Sequence, residues 1–103
     1  MDYQVTWSPE AVEDIEEIAR YIEKDSPSYA QAVIEQIIDA SRQLNQLPLR
    51  GRVVPELEDE AYRELFIYSY RLIYRVKDKQ VIILAIIHGR RLLEKVEGRL
   101  LEN

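Results

Sequence analysis

Three runs in the C-terminal half, "YRELFI", "YRLIYRV" and "QVIILAIIH", follow one another with only Tyr68-Ser69 and "KDK" between them. Connections this short cannot hold a crossover, so consecutive runs pair as antiparallel strands. The first two alternate with a period of two. The third is apolar on both faces and must lie centrally or be covered on both sides. Whatever else this chain forms has to pack against that sheet.

The N-terminal half supplies the packing partner. "DYQVTW" alternates Tyr3, Val5 and Trp7 with polar neighbours and reads as a strand. "SPE" then gives an N-cap Ser8, a proline at the first helical position and an acid in the first turn. Val12, Ile15, Ala19 and Ile22 recur at helical spacing, with Ala11 and Ile18 widening the stripe. Glu10, Glu13, Asp14, Glu16 and Glu17 lie mostly off it and read as a solvated face. "DSPSYA" repeats the start signal, with Asp25 or Ser26 as cap, and a second helix runs to about Leu47, ended by Pro48. Its buried side carries Ala30, Val33, Ile37, Ala40 and Leu44. The short link makes the two helices an antiparallel hairpin. "PLRGRVVPELEDEAY" is a loop with at most one short extended piece. Leu92, Leu93, Val96 and Leu100 predict a short C-terminal helix. The fold class is therefore α+β: an N-terminal strand, then a helical hairpin on a mainly antiparallel sheet, with residues 1–103 as a single domain.

Composition excludes several chemistries. The chain has no cysteine and one histidine, so neither a thiolate nor a His-rich metal site is expected, and no cofactor signature is present. "MDYQVTWSPE" lacks the regions of a secretory signal, and "VIILAII" is too short to cross a bilayer as a helix, so a soluble cytoplasmic protein is expected. Net charge is −5, unevenly placed. Residues 1–39 hold ten acids against Arg20 and Lys24; residues 61–91 hold seven bases against Glu64 and Asp78. The acidic total disfavours unaided binding to nucleic acid, while the basic half leaves a local positive face open.

A two-residue turn at Asp78-Lys79 would make paired positions sum to 157, placing Arg71 opposite Ile86 and Ser69 opposite His88. Arg71, Arg75 and His88 would then share one sheet face, with Arg71 and His88 roughly 7–8 Å apart as diagonal neighbours. A Tyr68-Ser69 turn adds Glu64 and Phe66 to that face and sends Arg63 to the other. Arg90 and Arg91 leave the last strand nearby, and the loop offers Arg50, Arg52 and Glu56. Arginine forks suit phosphate, and a histidine moves protons near neutral pH. Glu56, His88 and Arg71 would make a metal-free set for attack by an RNA 2′-OH, provided the loop folds Glu56 over the sheet. The alternative is structural, with the histidine a satisfied donor and the arginines covering apolar neighbours or pairing with acids.

"WSPEAVEDIEEIARYIEKDSPSYA", "LNQLPLRGRVVPEL", "YRELFIYSYRLIYRV" and "VIILAIIHGRR" resemble successive blocks of the RelE/ParE toxin superfamily, in order from Trp7 to Arg91. The resemblance implies a toxin of a type II toxin–antitoxin pair, and a cognate antitoxin partner that forms a hetero-oligomer with it. RelE-like members cut mRNA on the ribosome. ParE-like members inhibit DNA gyrase, and "RELFIYSYRLIYRV" with "IIHGRR" is closer to them. The resemblance places Arg71, His88 and Glu56 at catalytic positions of cleaving relatives. Arg50, Arg52, Arg63, Arg75, Arg90 and Arg91 are then candidates for target binding. The lysine-rich loop of RelE itself is absent, and the chain continues well past His88. A family member that only binds its antitoxin is the third reading.

Overall fold

The computed structural model describes residues 2–89 and Gly98. The elements are β1 (Gln4–Trp7), α1 (Pro9–Glu23), α2 (Pro27–Gln43), β2 (Arg52–Val53), β3 (Tyr62–Ile67), β4 (Tyr70–Lys77) and β5 (Gln80–His88). They form the expected α+β arrangement, two helices packed on one five-stranded sheet in the order β1-β5-β4-β3-β2. β1 runs parallel to β5 and every other pair is antiparallel. The expected C-terminal helix, with Arg90 and Arg91, lies outside the described residues.

Local chemistry sets the element boundaries. The Ser8 hydroxyl accepts the Ala11 N–H and Ser26 accepts the Tyr29 N–H, each followed by proline at the first helical position. Ser26, not Asp25, is the second cap. α2 stops at Gln43, short of the expected Leu47, and residues 44–46 continue as turns that still bury Leu44. The β4–β5 connection uses left-handed Asp78 and Lys79, with φ of 51° and 62°, as a two-residue hairpin of this twist requires.

The core lies between the helices and one sheet face: Ala11, Ile22, Ala30, Val33, Ile37 and Leu44 meet Leu72, Tyr74, Val81, Ile83 and Ile86. A second cluster occupies the outer face, where Ile73, Leu84, Ala85 and Ile87 are buried with Val54. β5 is thus covered on both sides, as its composition demands. Val12, placed on the buried stripe from its spacing, is 41% exposed. It lines an open cleft of about 360 Å³ with Val5, Trp7, Ile15 and Ile38, where the two helices do not close over β1.

One register detail reorganises the sheet. Lys77 to Tyr74 pair with Gln80 to Ile83 as the turn dictates, but Ile73 pairs with Ala85, leaving Leu84 as an extra residue in a β-bulge. Beyond it every pairing shifts by one. Arg71 faces Ile87 and Tyr70 faces His88, in place of the expected Arg71–Ile86 and Ser69–His88. Since opposed residues share a face, His88 moves to the helix side and Arg71 stays on the outer side.

β1 ends opposite Ile83, so the next stretch of β5 has a bare backbone edge on that side. α1 covers it. The Ser8 N–H donates to the Ile83 carbonyl, the Ser8 hydroxyl lies 3.4 Å from the Leu84 carbonyl, and Asp14 Oδ2 accepts the Ile86 N–H at 3.0 Å. Asp14 is therefore not part of the solvated acid face. Asp14→Ala should cost about 1–3 kcal/mol by leaving that N–H unpaired, and Glu13→Ala less than about 0.5. Urea unfolding of the two variants measures the difference.

Candidate functional site on the outer sheet face

The outer face is built on β3 and β4. Phe66 pairs with Arg71, Glu64 with Ile73, and on the other side Glu64 pairs with Arg52 of β2. The tight turn at Tyr68-Ser69 holds this register, and it places Glu64 and Phe66 with Arg71, and Arg63 on the helix side, as expected. The Glu64 side chain is 0% exposed and that of Arg71 only 7%. An ion pair this dry persists only when its remaining donors and acceptors are also satisfied.

They are satisfied from the loop. Residues 54–57, "VPEL", form a turn closed by the Leu57 N–H on the Val54 carbonyl at 3.1 Å, with Pro55 at the position where its fixed φ is favourable. Val54 is buried in the outer cluster and Leu57 packs on it, so the turn is pinned and Glu56 reaches the sheet. Arg71 donates from Nη1 to Glu56 Oε2 and from Nη2 to Glu56 Oε1, both at 3.1 Å. Its Nε donates to Glu64 Oε1 at 2.8 Å, and Nη2 pairs with the same oxygen. Arg52 Nε closes the chain on Glu64 Oε2 at 2.6 Å, and its guanidinium stacks over Phe66 at 5.3 Å. Two carboxylates and two guanidiniums make a neutral row.

Electrostatics follows from this geometry. Burial works against the Arg71 charge, but the hydrogen bonds to Glu56 and Glu64 outweigh it and raise its pKa above the usual arginine value. The hydrogen bond from Arg71 holds the Glu56 carboxyl below its ordinary 4.5, against partial burial. Glu56 is thereby a weaker base than a free glutamate.

A second anchor holds the start of the loop. The Tyr74 hydroxyl, from the sheet's helix side, donates to the Pro48 carbonyl at 2.8 Å and accepts the Gly51 N–H at 2.9 Å. A Cβ on Gly51 would lie 2.6 Å from the Glu64 carbonyl oxygen and 2.7 Å from that hydroxyl, so no larger residue fits. Arg63 also serves this loop, donating to the carbonyls of Gly51 and Leu49 at 3.0 and 3.4 Å and to that of Glu60 at 3.1 Å.

The proposed site residues are thus divided. Arg71, Glu56 and Arg52 come together with Glu64. Arg75 shares their face, between Tyr62 and Ile82, and its Nε is buried with no hydrogen-bond partner among the described residues. Arg50 is exposed and pairs with Gln43. His88 is not with Arg71: its ring stands edge-on to Tyr70 on the other face, centroids 5.6 Å apart. The bulge at Leu84, invisible in an all-apolar run, is the reason. The clamp by Glu64 was within reach of the sequence, since the hairpin register already put that acid beside Arg71.

Two predictions test this arrangement. Tyr74→Phe, which strands the Gly51 N–H and Pro48 carbonyl, should cost about 1–3 kcal/mol in urea unfolding. Because the folded pKa of Glu56 is depressed, its stabilisation is complete above 4.5 and lost as pH falls through the folded value. The Tm difference between wild type and Glu56→Gln should therefore be constant from pH 7 to about 5 and close below that.

Comparison with known proteins bears on this geometry. Residues 5–93 match the sequence family described as the ParE toxin of the type II toxin–antitoxin system parDE. The fold is similar to that of the chromosomal ParDE toxin–antitoxin system from P. aeruginosa, with TM-score 0.68 and 25% identity over 84% of this chain and 95% of that one. The toxin–antitoxin complex RelBE2 from Mycobacterium tuberculosis gives TM-score 0.54 and 28% identity, covering 85% and 99% of the two chains. An E. coli toxin RelE mutant in the free state shares the fold at TM-score 0.68 and 17% identity, covering 99% and 97%. No curated protein sequence matches the chain significantly.

Proposed function

The chain belongs to the ParE toxin family of type II toxin–antitoxin systems, and from that membership we propose that it arrests growth by binding DNA gyrase. On this reading a cognate antitoxin neutralises it. The antitoxin partner is supported by the toxin–antitoxin complexes among its structural relatives.

One observation carries the choice of a protein target over RNA cleavage. Metal-free cleavage at a 2′-OH needs a base, an acid and an unpaired cation converging on one phosphate. Arg71 instead spends its donors on Glu56 and Glu64, Glu56 is a weakened base, and His88 lies across the sheet. The surface also supports protein recognition. Tyr21, Tyr29, Phe66 and Tyr68 are all exposed, and Tyr29 and Tyr68 stack edge-on at 5.8 Å. Aromatic residues are the anchors of protein interfaces.

The test is expression without antitoxin, combined with gyrase supercoiling assays on purified protein and mapping of mRNA ends. The expected result is growth arrest, inhibited supercoiling and unchanged mRNA ends. Arrest should persist in His88→Ala. Codon-positioned mRNA cuts with normal supercoiling would establish the RelE-like reading instead. Unimpaired growth with soluble protein present would leave antitoxin binding as its only function.

A further inference from the structure

Four tyrosines meet at one corner of the molecule, where the helical hairpin turns near the end of the sheet. Tyr29 and Tyr68 stand edge-on at 5.8 Å, and Tyr70 is edge-on to His88 at 5.6 Å. Burial, and after it the nearness of Tyr29 and Tyr21, raises the pKa of the Tyr70 hydroxyl above 10.0, so Tyr21 belongs to the same corner. Tyr21, Tyr29 and Tyr68 are 72%, 47% and 51% exposed, so three of the four rings are open to solvent. Tyr68 is there against local preference. It has a left-handed φ of 53° in the two-residue turn between β3 and β4, a place that favours glycine or asparagine. A bulky side chain held there at a cost to the fold points to a use for its ring. The corner is also acidic. Residues 16–36 carry Glu16, Glu17, Glu23, Asp25 and Glu35 against Arg20 and Lys24, and among the described residues none of these acids forms an ion pair. Tyr68 further walls an open groove of about 390 Å³ between α2 and β3, with Gln36 and Asp39 on the helix. Arg50 also lines it and is bonded to Gln43.

We propose that this corner seats an arginine-bearing segment of a partner protein, with one guanidinium on the Tyr29–Tyr68 pair and a second at Asp39. Tyrosine ring faces attract a guanidinium, whose plane stacks on them as an ammonium does not, and the surrounding carboxylates attract the same charge. Tyr29 and Asp39 are ten residues, roughly 15 Å, apart on α2, so arginines four or five residues apart in an extended segment reach both. Exposed rings also stack nucleic-acid bases, but the unpaired acids around these repel the phosphates that come with a base. This use of the corner rests on the reading of the aromatic surface as a protein-binding one, and binding by the purified chain decides it separately from gyrase inhibition.

The probe is a dye-labelled ten-residue peptide with two arginines five apart, followed by fluorescence anisotropy, beside its glutamine counterpart and a labelled ten-nucleotide oligothymidylate. Wild type should bind the arginine peptide at least about fivefold more tightly than either of the others. Tyr68→Asn should weaken that binding at least about fivefold while its Tm stays within about 4 °C of wild type, since asparagine suits the turn. Tyr29→Ala and Asp39→Asn should weaken it in the same direction, and Glu60→Gln, in the loop before β3, less than about twofold. Thermal melts confirm that each variant is folded. Intact peptide binding with normal gyrase supercoiling would uphold the corner and remove the gyrase reading alone. Equal binding of the glutamine peptide overturns the proposal, as does unchanged affinity in folded Tyr68→Asn and Tyr29→Ala. An equal loss in Glu60→Gln overturns it by reducing the effect to net charge, and tighter binding of the oligothymidylate overturns it in favour of base stacking.

Discussion

A carboxylate with no exposure, set in the middle of a sheet, is the constraint on which the rest of this site depends. Glu64 loses its water on folding, and only close cations on both oxygens make that tolerable. Arg71 meets one oxygen and Arg52 the other. Arg52 has to be on β2 at the sheet edge, which ties the loop start to β3. Arg71 in turn is buried and needs a second acid, which brings Glu56 and its turn down over the outer face. Tyr74 and Arg63 hold the same loop from the helix side. Burial, register and loop position are one linked arrangement.

That arrangement decides how Arg71, Glu56 and His88, the set expected from the sequence, are to be read. An arginine saturated by two carboxylates is a poor phosphate ligand, because each displaced acid would be left beside the incoming negative charge. The Leu84 bulge removes His88 from the same face altogether. Type II toxins of this family share a fold and a partner class, and the chemistry of each is set by what surrounds a few side chains. Here the surroundings turn a candidate catalytic arginine into the cross-link of a sheet.

Much of this was legible in the sequence, for identifiable reasons. Strand order around β4 followed from two tight turns, and both helix starts followed from serine–proline signals. The placement of Glu64 beside Arg71 came from hairpin register alone. What escaped was whatever depended on a departure from regular spacing. The bulge sits in "ILAII", where every residue is apolar, so slipping by one costs no visible mismatch. Asp14 lies among acids that are solvated, and only the early end of β1 gives it a backbone donor. The docking of Glu56 depended on Val54 and Leu57 finding a buried cluster, a tertiary contact with no local signature.

The central claim, that Arg71 is structural through Glu64, is most directly measured by a double-mutant cycle of Arg71→Met and Glu64→Gln in urea unfolding. Removing Arg71 alone leaves Glu64 short of a cation and should cost about 3–5 kcal/mol. The double variant should be more stable than the sum of the two single losses predicts, by about 2 kcal/mol or more. Single losses below about 1 kcal/mol that add within about 0.5 would contradict it and return Arg71 to the pool of free cations.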